Sequence, residues 1–153
     1  KLFNLNTQLN VNFATRYGFS TDIKNWKDLG FQFNPFIDFK IHDFLGEESL
    51  FMFYLSAKWS TDKLMKYYYQ VDDQYITVDR GPFQAHAGYM ESSLAAVIHL
   101  PIIKKLSFFS GVVQSFYQDA KNRQSPLLPK DQTTSVVFGI YSMFYKSPDL
   151  VWD

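Results

Sequence analysis

An uninterrupted alternation near the amino-terminal end constrains this chain more than any other feature. Phe3, Leu5, Thr7, Leu9, Val11, Phe13, Thr15 and Tyr17 alternate with Asn4, Asn6, Gln8, Asn10, Asn12, Ala14 and Arg16. Successive side chains of a strand point to opposite faces, so this period sorts rings and aliphatics onto one face and amides onto the other. A helix would scatter the asparagines around its circumference, and Asn and Thr are mediocre helix formers. The run is also long. Strands of soluble domains average five or six residues, whereas a tilted membrane-spanning strand needs ~9–11.

The same pattern returns along the chain. Leu29, Phe31, Phe33, Ile37, Phe39 and Ile41 oppose Gln32, Asn34, Asp38 and Lys40, with Pro35 and Phe36 as interruptions. Pro35 lacks an N–H for the ladder, which predicts a bulge or a stretch beyond the bilayer core there. Phe51, Phe53, Leu55, Ala57 and Trp59 oppose Met52, Tyr54, Ser56 and Lys58, and Trp59 suits an interfacial girdle. A fourth strand falls within residues 83–100, where the apolar parity shifts and predicts a bulge near Met90 to Ser93. Residues 106–118 and 133–145 read as the fifth and sixth strands, apolar on both faces. No helix is predicted.

Composition agrees with a sheet that meets lipid. Aromatic residues make up 19% of the chain, 16 Phe and 10 Tyr among them, more ring surface than a soluble core needs. Fifteen basic residues balance fifteen acidic ones, so no net charge draws the chain toward nucleic acid. Cysteine is absent, which removes thiolate metal sites, disulfide frameworks and cysteine nucleophiles. No run approaches the ~18 apolar residues of a spanning helix, so any crossing must be made by strands. Lys1 leads directly into strand-like sequence with no initiating Met, charged n-region or apolar h-region, so the chain is expected to lack its natural N-terminus.

Connection lengths give a topology. Residues 20–28, 60–82 and 119–132 read as long polar connections, whereas 101–105 is short and 42–49 is the shorter of the remainder. Bacterial outer-membrane barrels keep short turns in the periplasm and long loops outside, which places the first three at the cell exterior. The expected fold is all-β, an antiparallel up-and-down transmembrane β-barrel. Such barrels start at about eight strands, so six strands over residues 1–145 would supply part of a barrel of roughly 8–12. Residues 146–153 would form a periplasmic tail.

Several landmarks together resemble the MltA-interacting protein (MipA)/OmpV family of outer-membrane proteins. They are the Asn34, Pro35, Phe36 run, the sequence Tyr67, Tyr68, Tyr69, Gln70, Val71 after Trp59 and Asp62, and Tyr75 beyond it. Gly88 with Tyr89, Asp119 with Ala120, the triplet Ser125, Pro126, Leu127, and a closing strand from Gly139 to Phe144 complete the set. The chain departs from the family in having Gln70 where members commonly have Gly, and in continuing for nine residues past Phe144. The resemblance implies a Gram-negative outer-membrane barrel with a signal peptide in its precursor and additional N-terminal strands. It also implies, for part of the family, a scaffold joining a lytic transglycosylase to a murein synthase of the penicillin-binding class. Other members are described as porin-like, adhesive or immunogenic.

The residues themselves favour no reaction. Outer-membrane hydrolases want a histidine set against a serine, often as His-x-Ser, and neither His86 nor His99 supplies one. His42 lies in a turn beside Asp43, and three separated histidines make no metal site. No catalytic residue, cofactor or metal is therefore expected. The row Asn4, Asn6, Gln8, Asn10, Asn12, Arg16, Gln32, Asn34, Asp38, Lys40, Tyr54 and Lys58 is expected to line the lumen. A plug of mutual hydrogen bonds is favoured over a water-filled channel in so narrow a barrel. Tyr67 to Tyr69 read as girdle before sugar platform, and Lys121, Arg123 and Lys130 as a solvated loop before a contact with lipopolysaccharide. The expected function is a non-enzymatic scaffold that lives among outer-membrane lipids and lipopolysaccharide and docks its partners through the periplasmic turns. A small-solute channel or surface adhesin is the alternative, and a soluble lipocalin-like binder the competing class.

Overall fold

The computed structural model describes residues 6–22, 25–128 and 130–142. Six strands follow one another as neighbours in a single antiparallel sheet: β1 (Asn6–Asp22), β2 (Asn25–His42), β3 (Leu50–Ser60), β4 (Gly88–Ile103), β5 (Leu106–Phe116) and β6 (Gln132–Ser142). The chain is thus all-β and up-and-down. Among the described residues β1 and β6 each have one neighbour and the sheet does not close on itself. No described helix is long and apolar enough to cross a membrane.

Register carries the alternation across the sheet. Asn10 pairs with Asp38 and Asp38 with Tyr54, while Leu9 pairs with Phe39 and Phe39 with Phe53. Directly opposed residues share a face, so the amides of β1, the charges of β2 and the polar positions of β3 fall on one side. The other side is bare hydrocarbon: Leu9 is 66% and Phe13 73% exposed, whereas Asn34 and Asp38 opposite are 2% and 4% exposed. Water would invert this order, and a lipid surround would keep it.

Met90 is the extra residue of the expected bulge, because Lys58 pairs with Glu91 but Trp59 with Tyr89. That shift keeps Trp59 and Tyr89 together, their ring centroids 5.5 Å apart.

Four expectations are corrected. Residues 20–28 form no long loop: pairing runs on to Asp22 with Asn25, and Phe19 stacks on Trp26 at 5.4 Å. A second bulge there, between Gly18 and Phe19, turns Leu29 off the apolar face and buries it. Pro35 causes no bulge. It stays opposite Phe13, and the β2–β3 register is the same on both sides of it, with unpaired positions at Asn34 and Pro35. Finally, β4 passes through Pro101 to Ile103, which leaves a turn of Lys104 and Lys105 in place of residues 101–105.

Between β3 and β4 lies the helix that the sequence reading missed, α1 (Asp62–Tyr69). Gly30 makes room for its start: at φ 86° it has no Cβ, and a Cβ there would lie 2.2 Å from the Thr61 hydroxyl. Thr61 accepts from the Phe31 N–H through that hydroxyl and donates its own N–H to the Phe31 carbonyl, both at 3.0 Å. The helix is thereby hung on β2 at the end of the sheet where β1 and β2 meet.

Candidate functional site

Two assemblies occupy the polar face. The first is a network in the sheet itself. Asp38 accepts from the side-chain amides of Asn10 and Asn12, each at 2.9 Å, and pairs with Lys40 at 3.1 Å. Lys58 is paired with Glu91, the Ser56 and Ser93 hydroxyls lie 2.7 Å apart, and the Asn34 amide reaches the Tyr54 hydroxyl at 3.5 Å. Gln8 donates to Asn10, and Gln32 to the sulfur of Met90. Asn6 and Arg16 share this face by register, and Asn4 lies outside the described residues. The buried charges thus find partners among the polar groups around them, as such groups must when removed from water, while the side-chain oxygen of buried Asn34 is left without a donor.

The second assembly is a cap built from the segments that join β3 to β4 and β5 to β6. α1 turns Leu64, Met65 and Tyr69 inward, and Met65, Tyr69 and Ala85 form a core flanked by Phe83, Met90 and Leu128. Leu64 comes to within 3.7 Å of where a Gly18 Cβ would stand, so the helix rests on the polar face of the β1–β2 hairpin. Two residues of the second segment tie it down. Asn122, 1% exposed, accepts the His86 N–H at 2.9 Å and donates to the His86 carbonyl at 2.8 Å. Ser125 donates to the Tyr69 carbonyl at 2.7 Å.

This arrangement gives the landmark residues structural places. Val71 is buried and bridged to Phe83. Tyr67 and Tyr68 are exposed on α1, whereas Tyr69 is buried in the cap core and does not join them in a girdle. Gly88 opens β4 where Lys121 passes 3.2 Å from the position of a Cβ. Asp119, Ser125, Pro126 and Leu127 lie in the second cap segment. Pro35 lies opposite Phe13, Gly139 sits under the Phe109 ring, and Phe144 lies outside the described residues.

Sequence reasoning missed Glu91, Ser56, Ser93 and Asn122. Strand parity pointed to Ser56, but only the register brings Lys58 to Glu91, 33 positions away. Among the described residues no group of three acidic or histidine side chains could hold a metal, and no histidine hydrogen-bonds a serine. His99 instead meets the Tyr141 hydroxyl at 2.8 Å, their rings stacked.

Burial pushes the Tyr69 hydroxyl from 10.0 up to about 12, helped by the nearby Glu91, because a phenolate would lose its water inside the cap. Stability from this group is therefore complete below pH 10 and lost as pH rises through about 12. In an alkaline titration followed by tyrosinate absorbance, one tyrosine should ionise last and together with opening of the cap. Tyr69→Phe should remove that last step, and its persistence would contradict the assignment.

No curated protein and no solved structure matches the chain. The sequence model of the family described as MltA-interacting protein MipA does match, over residues 3–144, and the chain belongs to that family.

Proposed function

We propose that the chain is part of an outer-membrane barrel of roughly 8–12 strands that serves as a non-enzymatic scaffold, its polar face lining a plugged lumen and its apolar face meeting lipid. Family membership supports outer-membrane residence and an encounter with MltA, a lytic transglycosylase. A penicillin-binding synthase and lipopolysaccharide are the further partners of this reading. The network on Asp38 and the cap above it favour a plug over a channel, since Asn10, Asn12, Asp38, Lys40 and Lys58 of the expected lining are already engaged with neighbouring polar groups.

The observation that carries the docking role is the turn between β2 and β3. Residues 43–49 are over-determined: Asp43 donates its N–H to the Ser49 carbonyl at 2.8 Å, Glu48 donates to the Asp43 carboxylate at 2.8 Å, and Leu45 donates to the Ser49 hydroxyl at 3.0 Å. Asp43 and Glu48 hold φ of 58° and 62°, a conformation that costs a non-glycine residue energy and persists only where the surroundings enforce it. The result is a rigid knuckle that presents Leu45, 66% exposed, beside Glu47 and Glu48. The neighbouring turn at this end of the sheet offers Lys104 and Lys105, next to exposed Ile102 and Ile103. Exposed apolar residues rimmed by charge suit a protein partner.

Leu45→Glu combined with Ile103→Glu should cut recovery of the lytic transglycosylase from detergent-solubilised envelopes about tenfold or more, with folding of the barrel unchanged. Full recovery with the double variant would refute docking at these turns. Steady ion conductance in planar bilayers would favour the channel instead. The tail at residues 146–153 lies outside the described residues and belongs to the proposal only as an adjoining surface.

A further inference from the structure

At the opposite end of the sheet, one side of α1 walls a cleft of about 390 Å³. Lys63, Lys66, Tyr67 and Gln70 recur at the spacing of one helical face and line it, while Met65 and Tyr69 are held in the cap core and Leu64 is buried near Gly18. β2 supplies the floor with Lys27, Asp28 and Leu29, and Asp72 and Tyr75 close the far wall. A helix face that merely met solvent would have no such second and third wall. Tyr67 and Tyr75 are 57% and 60% exposed, which leaves ring surface free for a ligand. Three ammonium groups stand around two carboxylates. Lys63 is bound to Asp28, Lys66 is held by Asp62 at 2.6 Å outside the cleft lining, and Lys27 makes no ion pair among the described residues. Gln70 donates to Asp72 at 2.5 Å, and its side-chain oxygen is a buried acceptor without a donor.

From this combination we infer that the cleft binds a phosphorylated saccharide. Tyrosine rings stack on the apolar faces of sugars, carboxylates accept sugar hydroxyls, and lysines serve a phosphate as point charges. A neutral sugar would leave Lys27 idle, and inorganic phosphate would leave both rings bare. The inference rests on the barrel reading for its setting: the cleft lies at the end of the sheet assigned to the cell exterior, where the sugar phosphates of glycolipid headgroups are met.

The test uses the full chain in detergent micelles, titrated with glucosamine 1-phosphate, glucosamine and inorganic phosphate, and in parallel with vesicles carrying a phosphorylated glycolipid or the same glycolipid freed of phosphate. Glucosamine 1-phosphate or the phosphorylated vesicles should bind about tenfold more tightly than the unphosphorylated sugar or phosphate alone, and more weakly at high salt. Lys27→Gln with Tyr75→Ala should abolish that preference. Both residues are exposed and neither supports the cap, so the late tyrosinate step of Tyr69 should remain as proof of folding. Binding confined to vesicles identifies the headgroup as the source, and binding of the soluble compound identifies a free sugar phosphate. Equal affinity for phosphate alone, an unchanged double variant, or no binding in either arm would overturn the site. The turn at residues 43–49 lies at the other end of the strands, so failure of the scaffold experiment is read separately.

Discussion

Leu9→Arg is expected to lower the stability of the membrane-embedded protein by ~2–4 kcal/mol, and Asn10→Arg by much less, although the two residues are neighbours in β1. Leu9 stands 66% exposed in a field of Val11, Phe13, Phe39 and Phe53, and a guanidinium there would have to enter hydrocarbon or drag water after it. Asn10 lies on the polar face, its amide 2.9 Å from the Asp38 carboxylate, so a guanidinium would arrive beside an anion. Denaturant titration of protein folded into lipid vesicles measures both. Equal losses would remove the reason for assigning the two faces to lipid and lumen.

The same alternation explains how much of the fold was legible. Period-two faces located the first three strands and the parity shift within the fourth located the Met90 bulge, because each reports a local rule of the pleat, while β-rich runs apolar on both faces located the fifth and sixth. Residues 20–28 misled because polar composition was taken for a loop. The hairpin continues through them on backbone pairing and on the Phe19–Trp26 stack, and neither requires alternating hydrophobicity. The bulge, one of the two readings offered for Pro35, failed for a related reason. A missing donor can be absorbed as a gap toward one neighbour, here β3, while pairing with β1 carries on.

Less of the candidate site could be read. The polar row was visible strand by strand, but its pairs are products of register: Asn10 meets Asp38 from 28 positions away and Lys58 meets Glu91 from 33. The cap was not visible at all. α1 has only eight residues, too few for a period to stand out, and its run of three tyrosines hides that Tyr69 turns inward while Tyr67 turns outward. Thr61 before Asp62, with Lys66 four residues on, was the available helix-start signal. Asn122 offered no signal, since an asparagine in a loop looks the same whether it meets water or a buried backbone.

Met65→Ala should open the cap while leaving the sheet in place. Met65 is fully buried at the centre of a core whose other buried members among the described residues are Tyr69 and Ala85, with Phe83, Met90 and Leu128 around it. Cutting a buried methionine back to alanine costs ~2–5 kcal/mol, and so small a core has few other contacts with which to close the void. The loss falls on the cap because the strands are joined by their own ladders, whereas the cap is held by separate ties such as Thr61 to Phe31, Lys63 to Asp28, Lys121 to Tyr89, Asn122 to His86 and Ser125 to Tyr69. Met65→Leu, which keeps the volume, should cost less than ~1.5 kcal/mol. Hydrogen exchange separates these outcomes. In Met65→Ala the amides of residues 62–87 and 119–128 should exchange much faster, and those of β1, β2 and β3 should keep their protection. The bulged Met90 is the strand residue packed against this core, so β4 should loosen first at its start near Tyr89 and Glu91. Unchanged exchange in residues 62–87 would show that the cap does not depend on this core, and uniform loss across all strands would show that cap and sheet fold as one unit.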